Sequence, residues 1–278
     1  MTKHINLDAL EAGMDYLMNM NRASINKEKL EPISDQTCIY YNSVNIFCGR
    51  QGSGKTYSGM KEIIKISHIS PETHLLVVIT KDESKDDPTI TSLLPLLNIP
   101  VVYVSEEEAE DYVKHLLSCK RMYNIIKQNH SESARQTSCP FGAEKNVKQE
   151  EKEELFETLC VDDFRKQWLH TIFLFNDIAK SKLFKRAEGY FNQLIPICRH
   201  IQSSFFLNVQ FWKSIPTEIK ANLTTAFIFG GFSKEQLSYI LRQLPVAVEF
   251  QRIYNAYRGL RKFQKIIVNC ETGEAFLD

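Results

Sequence analysis

Eight consecutive residues, Gly49-Arg50-Gln51-Gly52-Ser53-Gly54-Lys55-Thr56, combine the residue types needed to hold a chain of phosphates. Glycine at the first and sixth places permits a tight turn whose N–H groups converge on anionic oxygens. The lysine that follows reaches the β- and γ-phosphates as a point charge, and the threonine hydroxyl is a ligand for Mg²⁺. The flanks fit that chemistry. Ser43–Cys48 reads as a short buried strand, and Tyr57–Ile66 has the spacing of a helix. A helix that opens at the loop turns the positive end of its dipole toward the phosphates. A Gly/Ser surface turn, the bland alternative, does not account for a strand before it and a helix after it. All eight residues are therefore read as contacts to a nucleoside triphosphate, with ATP and Mg²⁺ as the ligand pair.

A phosphate loop needs a partner that organises metal and water. The candidate is the apolar strand that runs out through Phe173-Leu174-Phe175 into Asn176-Asp177. In motor ATPases the first acid at such a strand tip binds Mg²⁺ and the second polarises the attacking water. Asn176 carries no charge, which leaves Asp177 as the catalytic or metal-organising carboxylate. Asn176 is then a neutral member of the metal shell beside Thr56. Alternatively, Asn176-Asp177 only caps the next helix. The strand Phe205-Phe206-Leu207-Asn208-Val209 ends at Gln210, placed to hydrogen-bond the γ-phosphate or the lytic water.

The elements that must position these groups alternate along the chain. Strands are expected at Leu75–Ile79, Val101–Val104, Thr171–Phe175, Ser204–Val209 and Ala226–Phe229. Helices are expected over Glu106–Asn129, Ser181–His200 and Ser233–Leu244, the last with a serine cap and Glu235 in its first turn. Phe263–Asn269 and Ala275–Leu277, joined at Glu271-Thr272-Gly273, read as a closing β-hairpin. This order predicts an α/β fold of the P-loop NTPase type. Its central sheet is mostly parallel with helices on both faces, and ligands sit at the carboxyl ends of the strands. Residues 1–40 form an N-terminal helical extension, with an amphipathic segment over Leu7–Met20. Residues 41–278 form the ATPase domain, interrupted at about 128–160 by a polar, turn-rich insertion read as flexible.

Bulk properties narrow the classes further. With 34 basic and 34 acidic residues the net charge is zero, so the overall field does not announce nucleic-acid binding. A ring gripping DNA through a few pore-facing cations would look equally neutral. Seven cysteines without C-x-x-C spacing argue for reduced thiols and against zinc, with Cys48 and Cys198 as small core residues. Nothing approaches the ~18 apolar residues of a membrane span, so no membrane partner is expected.

Taken in order, these motifs resemble the genome-packaging ATPases of the FtsK/HerA class, in the poxvirus-like branch of double-stranded DNA viruses and virophages. The resemblance runs from about residue 40 to the C-terminus. It rests on Gly49–Thr56, on Phe173–Asp177, and on Leu194-Ile195-Pro196-Ile197-Cys198-Arg199-His200 leading to the strand that ends at Gln210. Ile215-Pro216-Thr217-Glu218-Ile219-Lys220-Ala221-Asn222 resembles that branch's proline, basic residue and Asn segment. Asn176 stands where the family usually has an acid, and Lys220 where many members have Arg. The resemblance implies an ATP-hydrolysing ring that moves double-stranded DNA into a preformed capsid, contacting the DNA backbone non-specifically. It implies a capsid portal or vertex protein as partner, and a place in the host cytoplasm (viral factory) or the virion. Within that frame Arg199 is the candidate finger reaching a neighbour's phosphates, against the simpler reading that it pairs with helix-end carbonyls. Lys180, Lys182, Lys185 and Arg186 are candidates for DNA phosphate contact, against plain solvated surface. A helicase or assembly motor, and an ATP-binding structural protein with little turnover, remain the other readings.

Overall fold

A computed structural model describes residues 39–69, 73–81, 87–120, 170–176, 181–184 and 189–278. The proposed N-terminal helix, the 128–160 insertion, Asp177, Lys180, Lys185 and Arg186 lie outside the described residues.

Among the described residues eight strands form one sheet in the order β3-β2-β4-β5-β1-β6-β7-β8. They are β1 (Val44–Cys48), β2 (Thr73–Thr80), β3 (Val101–Ser105), β4 (His170–Phe175), β5 (Ser203–Val209), β6 (Thr225–Phe229), β7 (Lys265–Asn269) and β8 (Ala275–Leu277). The strands from β1 to β6 pair in parallel, whereas β7 runs antiparallel to both β6 and β8. This is the expected mostly parallel α/β architecture with its C-terminal hairpin. The helices are α1 (Lys55–Ile69), α2 (Pro88–Leu93), α3 over 109–120, α4 (Tyr190–Leu194), α5 (Thr217–Lys220), α6 (Lys234–Leu241) and α7 (Phe250–Arg258).

Because side chains alternate along a strand, a strand buried on both sides is largely apolar, and its few polar side chains must find hydrogen-bond partners. Every residue of β1, β4 and β5 is buried. One face carries Val44, Ile46, Leu75, Val77, Phe173, Phe175, Phe205 and Leu207, covered by Tyr112, Val113 and Leu116 of α3 and by Leu237 and Ile240 of α6. The other carries Phe47, Leu76, Val78, Ile172, Leu174 and Phe206, covered by Met60, Ile63 and Ile66 of α1 and Ile90 of α2. Stacked phenylalanines tie neighbouring strands together, with ring centroids 5.1 Å apart for Phe173–Phe205 and 4.3 Å for Phe47–Phe227. Each fully buried ring contributes about 1.5–3 kcal/mol by leaving water.

Two local expectations change. The single helix predicted over Ser181–His200 is instead broken. A short 3₁₀ turn covers Lys182–Phe184, Gly189 is extended (ψ 146°), and α4 gives way to a 3₁₀ turn at Ile195–Ile197 around Pro196. Proline removes a helical N–H there, and extended glycine favours an entry cap over a helix interior. The helices α2, α5 and α7 appear in addition to those predicted. By contrast the serine cap holds: Ser233 Oγ accepts from Gln236 N, completing a capping box at α6.

Candidate nucleotide-binding site

The phosphate loop leaves the carboxyl end of β1 and is stitched to β5 by a hydrogen bond from Gly49 N to Val209 O (3.2 Å). A side chain at Gly49 would stand 2.6 Å from Ser53 Oγ and 2.7 Å from Phe229 Cβ, so only glycine fits that exit. Gly52 and Gly54 adopt φ of +71° and +93°, the left-handed region where glycine bends at little cost. Lys55 begins α1, and its Nζ donates to the Arg50 carbonyl across the loop (2.8 Å). Beneath the loop, burial pushes the Cys48 thiol up to about 12 despite the Lys55 and Lys220 cations, which marks it as a core residue.

Strand register explains what meets Thr56. Phe175 of β4 pairs with Leu207 of β5, so the next residues, Asn176 and Asn208, fall side by side on the α1 face of the sheet. Asn208 Nδ2 donates to Asn176 Oδ1 (2.9 Å), and Thr56 Oγ1 donates to the same oxygen (3.0 Å). The other end of the Asn176 amide donates from Nδ2 to Asp87 Oδ2 (3.1 Å). Asp87 is held in turn by the Thr89 N–H (2.8 Å to Oδ1) as the N-cap of α2, with Pro88 opening the helix. A carboxylate thus backs the neutral Asn176. Hydrogen bonding to Asp87 polarises the amide and makes Oδ1 a stronger oxygen ligand.

These groups open into a cavity of about 710 Å³, lined by Gln51, Gly52, Gly54, Lys55, Thr56, Asp87, Asn176, Asn208 and Gln210, with Tyr57, Thr89 and Phe263 completing the wall. Its size suits a small-molecule ligand. The donor set of hydroxyl, amide oxygen and a nearby carboxylate is hard and oxygen-based. It fits Mg²⁺, which ordinarily takes one or two carboxylates together with substrate phosphates.

Of the residues singled out in the sequence, the loop, Thr56, Asn176 and Gln210 come together here, while Arg199 does not. Arg199 Nη2 lies 3.9 Å from Glu271 Oε1 in the β7–β8 turn. That turn follows Asn269, which pairs with Thr225 at the start of β6. Arg199 therefore stands at the amino-terminal edge of the sheet, away from its own phosphate loop. Lys220 Nζ lies 5.8 Å over the Trp212 ring, outside the cavity lining.

The sequence model of the family described as Poxvirus A32 protein matches residues 118–269, more than half of the chain. This chain belongs to the poxvirus A32 protein family. The matched segment lies wholly beyond the phosphate loop, so the family assignment and the loop are independent observations. Among solved structures, the genome packaging NTPase B204 from Sulfolobus turreted icosahedral virus 2 in complex with sulfate is similar at a TM-score of 0.51 and 11% identity, over 84% of this chain and 95% of that one. Its complex with ATP-gammaS gives 0.50 at 11% identity, over 84% and 95%. At such identity the likeness speaks for a shared fold. Comparison with curated proteins returns no match.

In this A32-family chain Asn208, Asp87 and Phe263 are among the site residues that escaped the sequence motifs, with Tyr57 and Thr89 beside them. Asn208 is readable in hindsight, as a polar residue inside an apolar strand and two places from Gln210 on the same face. No helix among the described residues is long and apolar enough to cross a membrane.

Proposed function

We propose that this protein hydrolyses ATP to drive double-stranded DNA into a preformed viral capsid. Membership of the A32 family and a fold shared with a genome packaging NTPase support the reading. The observation that carries it is the single cavity joining the phosphate loop to the Asn176–Asn208 strand tips and Gln210. A loop alone binds nucleotide; a loop facing polar strand tips can also organise attack on the γ-phosphate.

In this scheme the loop N–H groups and Lys55 hold the triphosphate. Thr56 Oγ1 and Asn176 Oδ1 would hold Mg²⁺, whose charge offsets that developing on the β- and γ-oxygens. Asp87 keeps the Asn176 amide oriented with its oxygen toward Thr56. Asp177 orients or deprotonates the attacking water, and Gln210 hydrogen-bonds that water or the γ-phosphate. Remote from its own loop, Arg199 acts only across a subunit boundary in a ring. Lys180, Lys182, Lys185 and Arg186 supply non-specific contact to DNA phosphates. A capsid portal or vertex protein anchors the ring, in the host cytoplasm (viral factory) or the virion.

The neutral Asn176 favours one second reading, a structural protein that binds ATP with little turnover. A strand-displacement assay on linear duplex DNA carrying a bound third strand separates them. ATP-dependent release of that strand, lost with ATP-gammaS and with Lys55→Ala, is the expected result. Turnover without release supports an assembly motor instead, and no turnover supports the static binder.

A further inference from the structure

The cavity wall includes aromatic side chains that phosphate and metal chemistry does not use. Phe263 lies across from the loop, its ring Cδ1 3.0 Å from where a Cβ on Gly54 would stand. It is 56% exposed and takes φ of +73°, a conformation that a bulky side chain adopts only at a cost. The turn holding it there is tied twice: Gln264 N donates to Arg261 O (3.1 Å), and Arg261 N donates to Gln264 Oε1 (2.8 Å). Phe263 occupies the third place of that turn, where positive φ ordinarily calls for glycine. A strained backbone presenting a large ring to water, on the wall of a ligand cavity, is the pattern of a residue kept for contact rather than for packing. Tyr57, 49% exposed and next to Thr56, adds a second aromatic surface to the same cavity.

We propose that Phe263 is the platform on which the base of the bound nucleotide stacks, and that the site prefers purines by ring area without distinguishing adenine from guanine. This rests on the nucleotide reading of the phosphate loop given above. Stacking on an aromatic face tolerates any base and scales with overlap. Gln264 Oε1 is engaged by Arg261 N, and the base preference follows from stacking area. Lys262 Nζ lies 4.9 Å over one face of the same ring.

The test uses the full-length chain with ATP, GTP, CTP and UTP, following both steady-state turnover and equilibrium binding of the non-hydrolysed γ-thio analogues. Wild type should bind ATP and GTP within about threefold of each other and the pyrimidines about tenfold more weakly, as expected for stacking. Phe263→Ala should raise KM and Kd for both purines about tenfold, leave kcat unchanged and flatten the preference. Phe263→Trp should keep it. Phe263→Gly should lose affinity while its Tm holds or rises, since the strained φ is relieved; a merely structural role would lower the Tm. Unchanged binding of all four nucleotides by Phe263→Ala overturns the proposal, as does wild-type discrimination between ATP and GTP beyond about a hundredfold, which needs edge reading. Inorganic tripolyphosphate separates the two levels. It should compete equally in wild type and Phe263→Ala and fail in Lys55→Ala. Failure to compete in wild type would count against the phosphate site itself rather than the base platform.

Discussion

Exchanging the charge within the Asn176–Asp87 pair tests how a neutral residue serves at the metal end of the cavity. Asn176→Asp replaces the Nδ2 donor by a carboxylate oxygen, 3.1 Å from Asp87 Oδ2 and at a position only 2% exposed. Two unit charges at that separation repel by about 5 kcal/mol at an effective dielectric near 20. Asp87 is half-buried, so water screens part of this, and a net loss of about 2–4 kcal/mol is expected in the absence of metal. Asp87→Asn alone keeps the cap on Thr89 N but turns an Nδ2 donor toward the Asn176 Nδ2 donor in place of an accepting oxygen, and should cost about 1–3 kcal/mol. It should also weaken Mg²⁺ binding about 10–100-fold, the usual cost of losing a group that orients a ligand. The double exchange, Asn176→Asp with Asp87→Asn, keeps one carboxylate in the pair and should recover most of the lost stability. Urea unfolding in EDTA and with Mg·ATP reads all four corners of this cycle. If Asn176→Asp proves as stable as wild type in EDTA, or the double variant no better than the single, Asp87 is not the charge that backs Asn176.

Gly49→Ala should cost about 1–3 kcal/mol in chemical denaturation, because its Cβ would overlap Ser53 Oγ and Phe229 Cβ at the strand exit. Burial raises the Cys48 thiol to about 12 and Cys198 to about 11, so native protein at about pH 8 should resist alkylation at both sites, and urea should expose them, as peptide mapping will read. The same shifts carry a sign for stability. Unfolding returns these thiols to their ordinary value of 9.0, so their contribution is intact below that pH and is lost as pH rises toward 12. Mixing Arg199→Ala with Lys55→Ala subunits should restore part of the turnover if Arg199 serves a neighbour, and no rescue at any ratio would count against that role.

What the sequence reveals here follows from how local each signal is. The phosphate loop is legible because its chemistry is set by residue types at fixed offsets. The strands β1, β4 and β5 are legible because burial on both faces gives each a run of apolar residues, as in Phe173-Leu174-Phe175 and Phe205-Phe206-Leu207. The helix α7 carries its own signal too, with Phe250, Ile253, Tyr254 and Tyr257 at helical spacing. Asp87 is different. Asp-Pro at 87–88 announces a helix start, but nothing along the chain says that this cap faces the tip of β4, which only the pairing of β2 with β4 brings near. Phe263 likewise reads as the first residue of a hairpin strand, whereas the strand begins at Lys265 and the turn before it sets Phe263 against Gly54.

ATP turnover belongs to the cavity between Lys55, Asn176 and Gln210. Phosphate release from Mg·ATP by the purified full-length protein, with and without linear double-stranded DNA, measures it directly. The prediction is Mg²⁺-dependent release that DNA stimulates severalfold and that Lys55→Ala abolishes. Tight ATP binding with no release above the Lys55→Ala background, whether or not DNA is present, would contradict it.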